Sequence, residues 1–121
     1  DRGALVRAVL EGVAFGLRDS LELLRELGVQ PEVGRIAGGG ARSDVWRSIV
    51  ASVLDLPLEL TAVTEGAAYG AALLAVGGDP RDTAARVVQV RGQTNPDPDW
   101  VAQYAKVYER FRALYPALRG V

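Results

Sequence analysis

The chain has 121 residues, 49% of them apolar, and a formal net charge of −1. That length supports one domain with a real core, and interspersed acidic and basic residues point to no nucleic-acid surface. Cysteine and histidine are absent, which excludes disulfides, the commonest zinc-ligand sets and a histidine-based catalytic triad.

Residues 3–27 carry Val6, Leu10, Val13, Leu17, Leu21, Leu24 and Leu27 at three-and-four spacing. This predicts an amphipathic helix of about seven turns, with Arg7, Glu11, Arg18, Glu22, Arg25 and Glu26 largely on other faces. Arg7, Glu11, Arg18 and Asp19 break the segment too often for a membrane span, and no leader pattern precedes it, so the expected location is the cytoplasm with no membrane partner. The chain lacks methionine and opens on Asp1, directly into this helix, and so reads as a piece of a longer protein. Gly28 stands where a C-terminal cap is expected, with Pro31 beyond it.

Val33 to Ala37 reads as a short strand that runs into Gly38, Gly39 and Gly40. A second helix over 42–54 follows, with Ser43 as N-cap and Val45, Trp46, Ile49, Val50, Val53 and Leu54 on its buried side. Glycines let the backbone take left-handed angles and approach a ligand closely, while the helix start turns unpaired N–H groups toward them. The pattern suits a nucleotide or another anion, and equally a tight strand-to-helix turn with no ligand. It is neither a Walker loop, lacking Gly-Lys-Ser/Thr, nor the Gly-x-Gly-x-x-Gly fingerprint, whose third glycine is replaced by Ser43.

Leu56 to Leu60 forms a second strand, a turn covers Thr61–Thr64, and a third helix runs from Glu65 to about Val76. Its two internal glycines cost about 0.8–1.0 kcal/mol each relative to alanine, so close packing should compensate. Ala68, Ala71, Ala72 and Ala75 are expected against a sheet, and Gly66 and Ala67 near a ligand. Residues 78–99 read as a loop or lid, with only Arg86–Val90 resembling a short strand; 100–115 form a last helix packed through Tyr104, Val107, Phe111 and Leu114. The order of elements implies an α/β domain with a right-handed crossover, whose two strands need others before Asp1.

Three segments in order then resemble the C-terminal part of the FGGY carbohydrate kinases. Arg7 to Asp19 is similar to the long helix bearing the family's second signature, Ile36 to Trp46 to its adenosine-binding Gly-Gly-Gly-Ala-x-Ser segment, and Glu65 to Ala72 to its Gly-Ala-Ala helix. The resemblance covers roughly residues 3–76 and implies an actin/hexokinase-like (ribonuclease H-like) fold, with 1–121 as a later part of the nucleotide-binding lobe. It implies ATP as ligand, Mg²⁺ held mainly through phosphates, and Gly38, Gly39, Gly40, Ala41, Ser43, Gly66 and Ala67 as nucleotide-binding residues. It implies transfer of the γ-phosphoryl group to a sugar hydroxyl, on xylulose or a related pentulose. The sugar site and the catalytic base are expected in the other lobe, so the fragment alone should be inactive; Asp19, Asp44 and Asp55 do not match the family's catalytic position. Asp44 is assigned a first-turn helix role, Arg42 a solvated one, and Arg7 with Glu11 an ion pair. Another actin-fold ATPase and a non-catalytic α/β interaction module remain as alternatives. The apolar stripe of the first helix, left without its sheet, should be exposed or drive self-association.

Overall fold

The computed structural model describes residues 1–62 and 66–120. Along the chain it forms α1 (Arg2–Glu26), β1 (Gly34–Ile36), a 3₁₀ turn (Gly39–Arg42), α2 (Asp44–Leu54), β2 (Leu58–Thr61), α3 (Gly66–Val76), α4 (Pro80–Val87), β3 (Val90–Thr94) and α5 (Pro98–Leu118). The parts of the expected Thr61–Thr64 turn and Glu65 helix start that fall on 63–65 lie outside the described residues.

The helix starts follow local chemistry. Asp1 accepts from the Gly3 N–H at 2.8 Å, Asp79 from Arg81 at 2.8 Å, and Asp97 from Asp99 and Trp100 at 2.9 and 3.1 Å. Pro80 and Pro98 follow two of these caps, where a missing N–H is harmless. At the end of α1, Gly28 takes φ +87°, and the Gly28 and Val29 N–H groups bond back to Arg25 and Leu24, both at 3.0 Å. That is the left-handed stop the sequence signalled.

β1 and β2 pair in parallel, Gly34 opposite Leu58, while β3 adds antiparallel to β2. The order β1-β2-β3 leaves β1 as one edge. Alternation divides the sheet into two faces. Ile36 and Leu58 turn to the core made with α1, α2 and α5; Arg35 and Thr61 line a cleft beneath α3 and α4. Five successive residues of α2, Ile49 to Val53, are buried, so this helix is enclosed by its neighbours. Its buried Ser52 is satisfied by accepting from the Asp97 N–H at 3.0 Å, which ties α5 to α2.

Three expectations change, and one is met. Residues 78–99 are no loop: they hold α4 and β3, and the strand begins at Val90, where Arg86–Val90 was expected to end one. In α1, Val6, Val13, Leu17 and Leu24 are exposed, as expected of a stripe without its sheet, and the buried residues are Ala14, Phe15 and Leu21. The inner face is the neighbouring one, because α5 packs against α1 through charged and aromatic groups as well as apolar ones. Val45 of α2 is 59% exposed. Finally, no residue of α3 is buried, and Ala68, Ala71, Ala72 and Ala75 face outward. The helix turns Gly66, Tyr69, Gly70 and Leu73 inward and stands off the sheet across the cleft.

Candidate functional site

The glycine run lies between the end of β1 and the start of α2, and its three glycines do different work. Gly38 has φ +83° and ψ −172°, a conformation open essentially to glycine alone. Gly39 and Gly40 do not share this left-handed backbone. A β-carbon on Gly39 would meet nothing within 4 Å, while one on Gly40 would lie 3.1 Å from the Trp46 indole. The turn is therefore set at Gly38, closed at Gly40 and open at Gly39.

Hydrogen bonds hold the loop inward. The Ala41 N–H donates to the Gly38 carbonyl at 3.2 Å, and the Ser43 N–H to the Gly40 carbonyl at 3.1 Å. The Ser43 hydroxyl accepts from the Trp46 N–H at 3.2 Å, confirming it as the cap of α2. Among the described residues, the N–H groups of Gly39, Gly40, Asp44 and Val45 donate to nothing. Free donors at a loop and helix start are the kind of groups that take up an anion.

The expected site residues separate into groups. Gly38, Gly39, Gly40 and Ser43 line the turn itself. Ala41 is 3% exposed and faces the core, so its side chain packs inward. Gly66 comes to the run: its β-carbon position lies 3.7 Å from that of Ala37. Ala67 is exposed and does not line the cleft that Gly66 borders. This cleft holds about 320 Å³ between Arg35, Ala37 and Thr61 of the sheet side and Gly66, Tyr69 and Gly70 of α3, with Ala84 and Val88 beyond. The Tyr69 hydroxyl donates to the Val87 carbonyl at 3.2 Å, joining its two walls. A larger cleft of about 640 Å³ between α1 and α5 shares no residue with the glycine run.

Two arginines near the run escaped the sequence reading. Arg35, one residue before Ile36, pairs with Glu59 across the strands at 3.1 Å on the cleft floor. Alternation from the inward Ile36 was the signal for it. Arg47 sits one turn into α2, pairs with Asp44 and reaches both the Ala41 carbonyl and Thr94. No spacing rule finds it, since one partner lies on β3. Asp44 thus has its first-turn role, and Arg42 makes no polar contact among the described residues.

At the α1–α5 seam, Arg7 and Glu11 form the expected pair at 2.7 Å, with a third member. The Tyr104 hydroxyl donates to Glu11 at 2.8 Å and accepts from Arg7 at 3.1 Å. Burial, with the Glu11 bond and charge, raises the Tyr104 pKa against the opposing pull of Arg7.

The architecture has clear relatives. The family model described as the FGGY family of carbohydrate kinases, C-terminal domain, matches residues 1–77. The xylulose kinase of Escherichia coli strain K12 is 34% identical over 119 residues, covering 94% of this chain and 25% of its own. The L-xylulose/3-keto-L-gulonate kinase of the same organism is 36% identical over 125 residues, covering 98% and 25%. A crystal structure of a xyloylose kinase from Brucella ovis superposes with a TM-score of 0.86 at 39% identity, covering 99% of this chain and 26% of that one. The chain belongs to the FGGY family of carbohydrate kinases and carries a part of their actin/hexokinase-like fold. It spans about a quarter of the length of these relatives.

Proposed function

We propose that this chain supplies the ATP-binding half-site of a sugar kinase that transfers the γ-phosphoryl group to a hydroxyl of xylulose or a related pentulose. The observation that carries the reading is the open glycine run: Gly39 faces free space beside four unpaired N–H groups. Backbone donors at Gly39, Gly40 and the first turn of α2 would hold phosphate oxygens, and the cleft bordered by Gly66 would take the flat part of the nucleotide. The matches to xylulose kinases support the pentulose.

Among the described residues, no group of three His, Cys, Asp or Glu is placed to hold a metal. Mg²⁺ fits this reading as an ion that would be held through the phosphates and would offset their charge. Three aspartates of this chain have other work. Asp19 accepts from Tyr108, Asp44 pairs with Arg47, and Asp55 ends α2. The base that orients the sugar hydroxyl is assigned to the other lobe, so the isolated chain should show no sugar-dependent ADP production. A cytoplasmic location belongs to the same proposal; among the described residues no helix is long and apolar enough to cross a membrane.

The test is ADP release by the full-length polypeptide carrying this chain, with and without D-xylulose and related pentuloses. ATP hydrolysis that no pentulose stimulates would overturn the kinase reading. Gly39→Val adds bulk where no neighbour lies within 4 Å, so folding should be kept while the KM for ATP rises by about tenfold or more. An unchanged KM would count against the glycine run as the nucleotide site.

A further inference from the structure

We infer that Arg47 is the positioning residue of the glycine run, a single guanidinium that fixes the loop against α2 and β3 together. The inference rests on the nucleotide reading given above. Arg47 Nη1 donates to the Ala41 carbonyl at 2.6 Å, in the middle of the 3₁₀ turn that carries Gly39 and Gly40. Nη2 pairs with the Asp44 carboxylate in the first turn of α2. Nε donates to Thr94 Oγ1 on β3 at 3.2 Å. All three nitrogens are thus engaged, each by a different element, and the side chain is only 16% exposed.

The geometry makes this more than a local ion pair. Glycines have no side chains with which to hold their own position, and a β-carbon on Gly39 would meet nothing within 4 Å. Besides the two backbone bonds of the turn, the Gly40–Trp46 contact and the buried Ala41 side chain, the loop is held among the described residues by the Arg47 bond to the Ala41 carbonyl. A guanidinium is planar and presents its donors in a fixed fork, so it transmits the location of β3 to the loop. An ammonium in its place serves one or two of these partners at a time. A site that binds through backbone N–H groups needs this kind of support to keep its donors within tenths of an ångström.

The test uses the full-length polypeptide, with the Kd for ADP in the presence of Mg²⁺ measured by calorimetry, the KM for D-xylulose, and the urea midpoint without nucleotide. Arg47→Ala should raise the ADP Kd about tenfold while the xylulose KM moves less than about twofold. Arg47→Lys should recover part of the loss, and Thr94→Val, which keeps the loop contact and removes the β3 contact, should raise the ADP Kd about threefold. The double variant should bind no more weakly than Arg47→Ala alone, because Thr94 acts through Arg47. Thr94→Val and Arg47→Lys keep the test sound should Arg47→Ala fold poorly. If Gly39→Val weakens ADP binding while none of the Arg47 and Thr94 variants does, the positioning role is wrong and the nucleotide site stands. If Gly39→Val and Arg47→Ala both leave ADP binding unchanged, the site reading falls and this proposal with it.

Discussion

The α1–α5 seam and the glycine run solve opposite problems with opposite materials. At the seam, side chains define everything. Phe15 lies among Tyr104, Tyr108 and Phe111, with ring centroids 5.8, 5.9 and 5.3 Å away. Arg7 lies 4.5 Å over the Trp100 ring, and Arg18 lies 4.4 Å over Tyr108. Each phenol hydroxyl ends on a carboxylate, Tyr104 on Glu11 and Tyr108 on Asp19. At the glycine run the backbone is the working surface, and several of its donors have no partner among the described residues. At the seam Arg18 Nε is buried without a hydrogen bond, 3.6 Å from Glu22, while the phenol hydroxyls are paired; a loop that leaves donors free keeps them for a ligand. The enclosed helix α2 serves both, packing against the seam and presenting the run at its N-terminus.

The strongest way to break this contrast is Phe15→Ala. The side chain is 3% exposed and fills the centre of the aromatic cluster, so its loss should cost about 3–5 kcal/mol of stability. Denaturant titration of the full-length polypeptide measures this. The ADP affinity of the protein that remains folded should stay within about twofold, since the run draws no contact from Phe15. A large loss of ADP affinity in Phe15→Ala, with the fold intact, would show that the two regions are mechanically one.

The two regions also differed in how much of them could be read from residue types alone. Ser43 as a cap, Gly28 as a stop and the strand–glycine–helix order all follow from local rules, and the structure shows each of them. Such features depend on a few adjacent residues. What packs on α1 was not legible, because Arg7, Glu11 and Arg18 look like solvent-facing charges. Their partners, Trp100, Tyr104 and Tyr108, lie some ninety residues along the chain. Helix α4 escaped notice although Asp79-Pro80 is a start signal, because the segment after it is polar. Strand β3 reads Val-Arg-Gly-Gln-Thr and shows no alternation; pairing with β2 defines it, and register shifts between Leu60 and Thr61, which face Gly92 and Val90. The glycines were recognised as a set, but their division of labour depends on where Trp46 and the backbone of Gly38 fall in space.

A smaller effect sharpens the contrast through pH. The Tyr108 hydroxyl donates to Asp19 at 2.5 Å. Burial first, and then the bond and charge of Asp19, push the pKa of Tyr108 from 10.0 up to about 12. The folded chain therefore keeps its phenol proton where the unfolded chain has begun to release it. The resulting stability is fully present below pH 10 and is lost as the pH rises toward 12. Thermal melts over that interval should fall more steeply for the natural protein than for Tyr108→Phe, which has no proton to lose there. Parallel slopes would mean that the seam does not hold the phenol neutral.

The smallest expected effect lies where α2 ends. Asp55 closes the helix at φ 48° and ψ 52°, the one left-handed residue other than glycine among those described. A β-carbon in this region costs roughly 1–2 kcal/mol, less for aspartate than for most residues. Glycine removes that strain and costs about 0.5–1 kcal/mol through the freedom of the unfolded chain. The balance predicts that Asp55→Gly stabilises by about 0.5 kcal/mol, and that Asp55→Val, whose branched side chain fits this backbone poorly, destabilises. The Asp55 and Leu56 N–H groups both bond to the Ala51 carbonyl, and glycine leaves these bonds in place. Urea unfolding with an unchanged slope is the measurement. Because Asp55 stands at the far end of α2 from the glycine run, neither variant should alter ADP affinity. A gain of stability accompanied by weaker ADP binding would show that α2 transmits strain along its length, and the separation of the two regions would then fail at the helix they share.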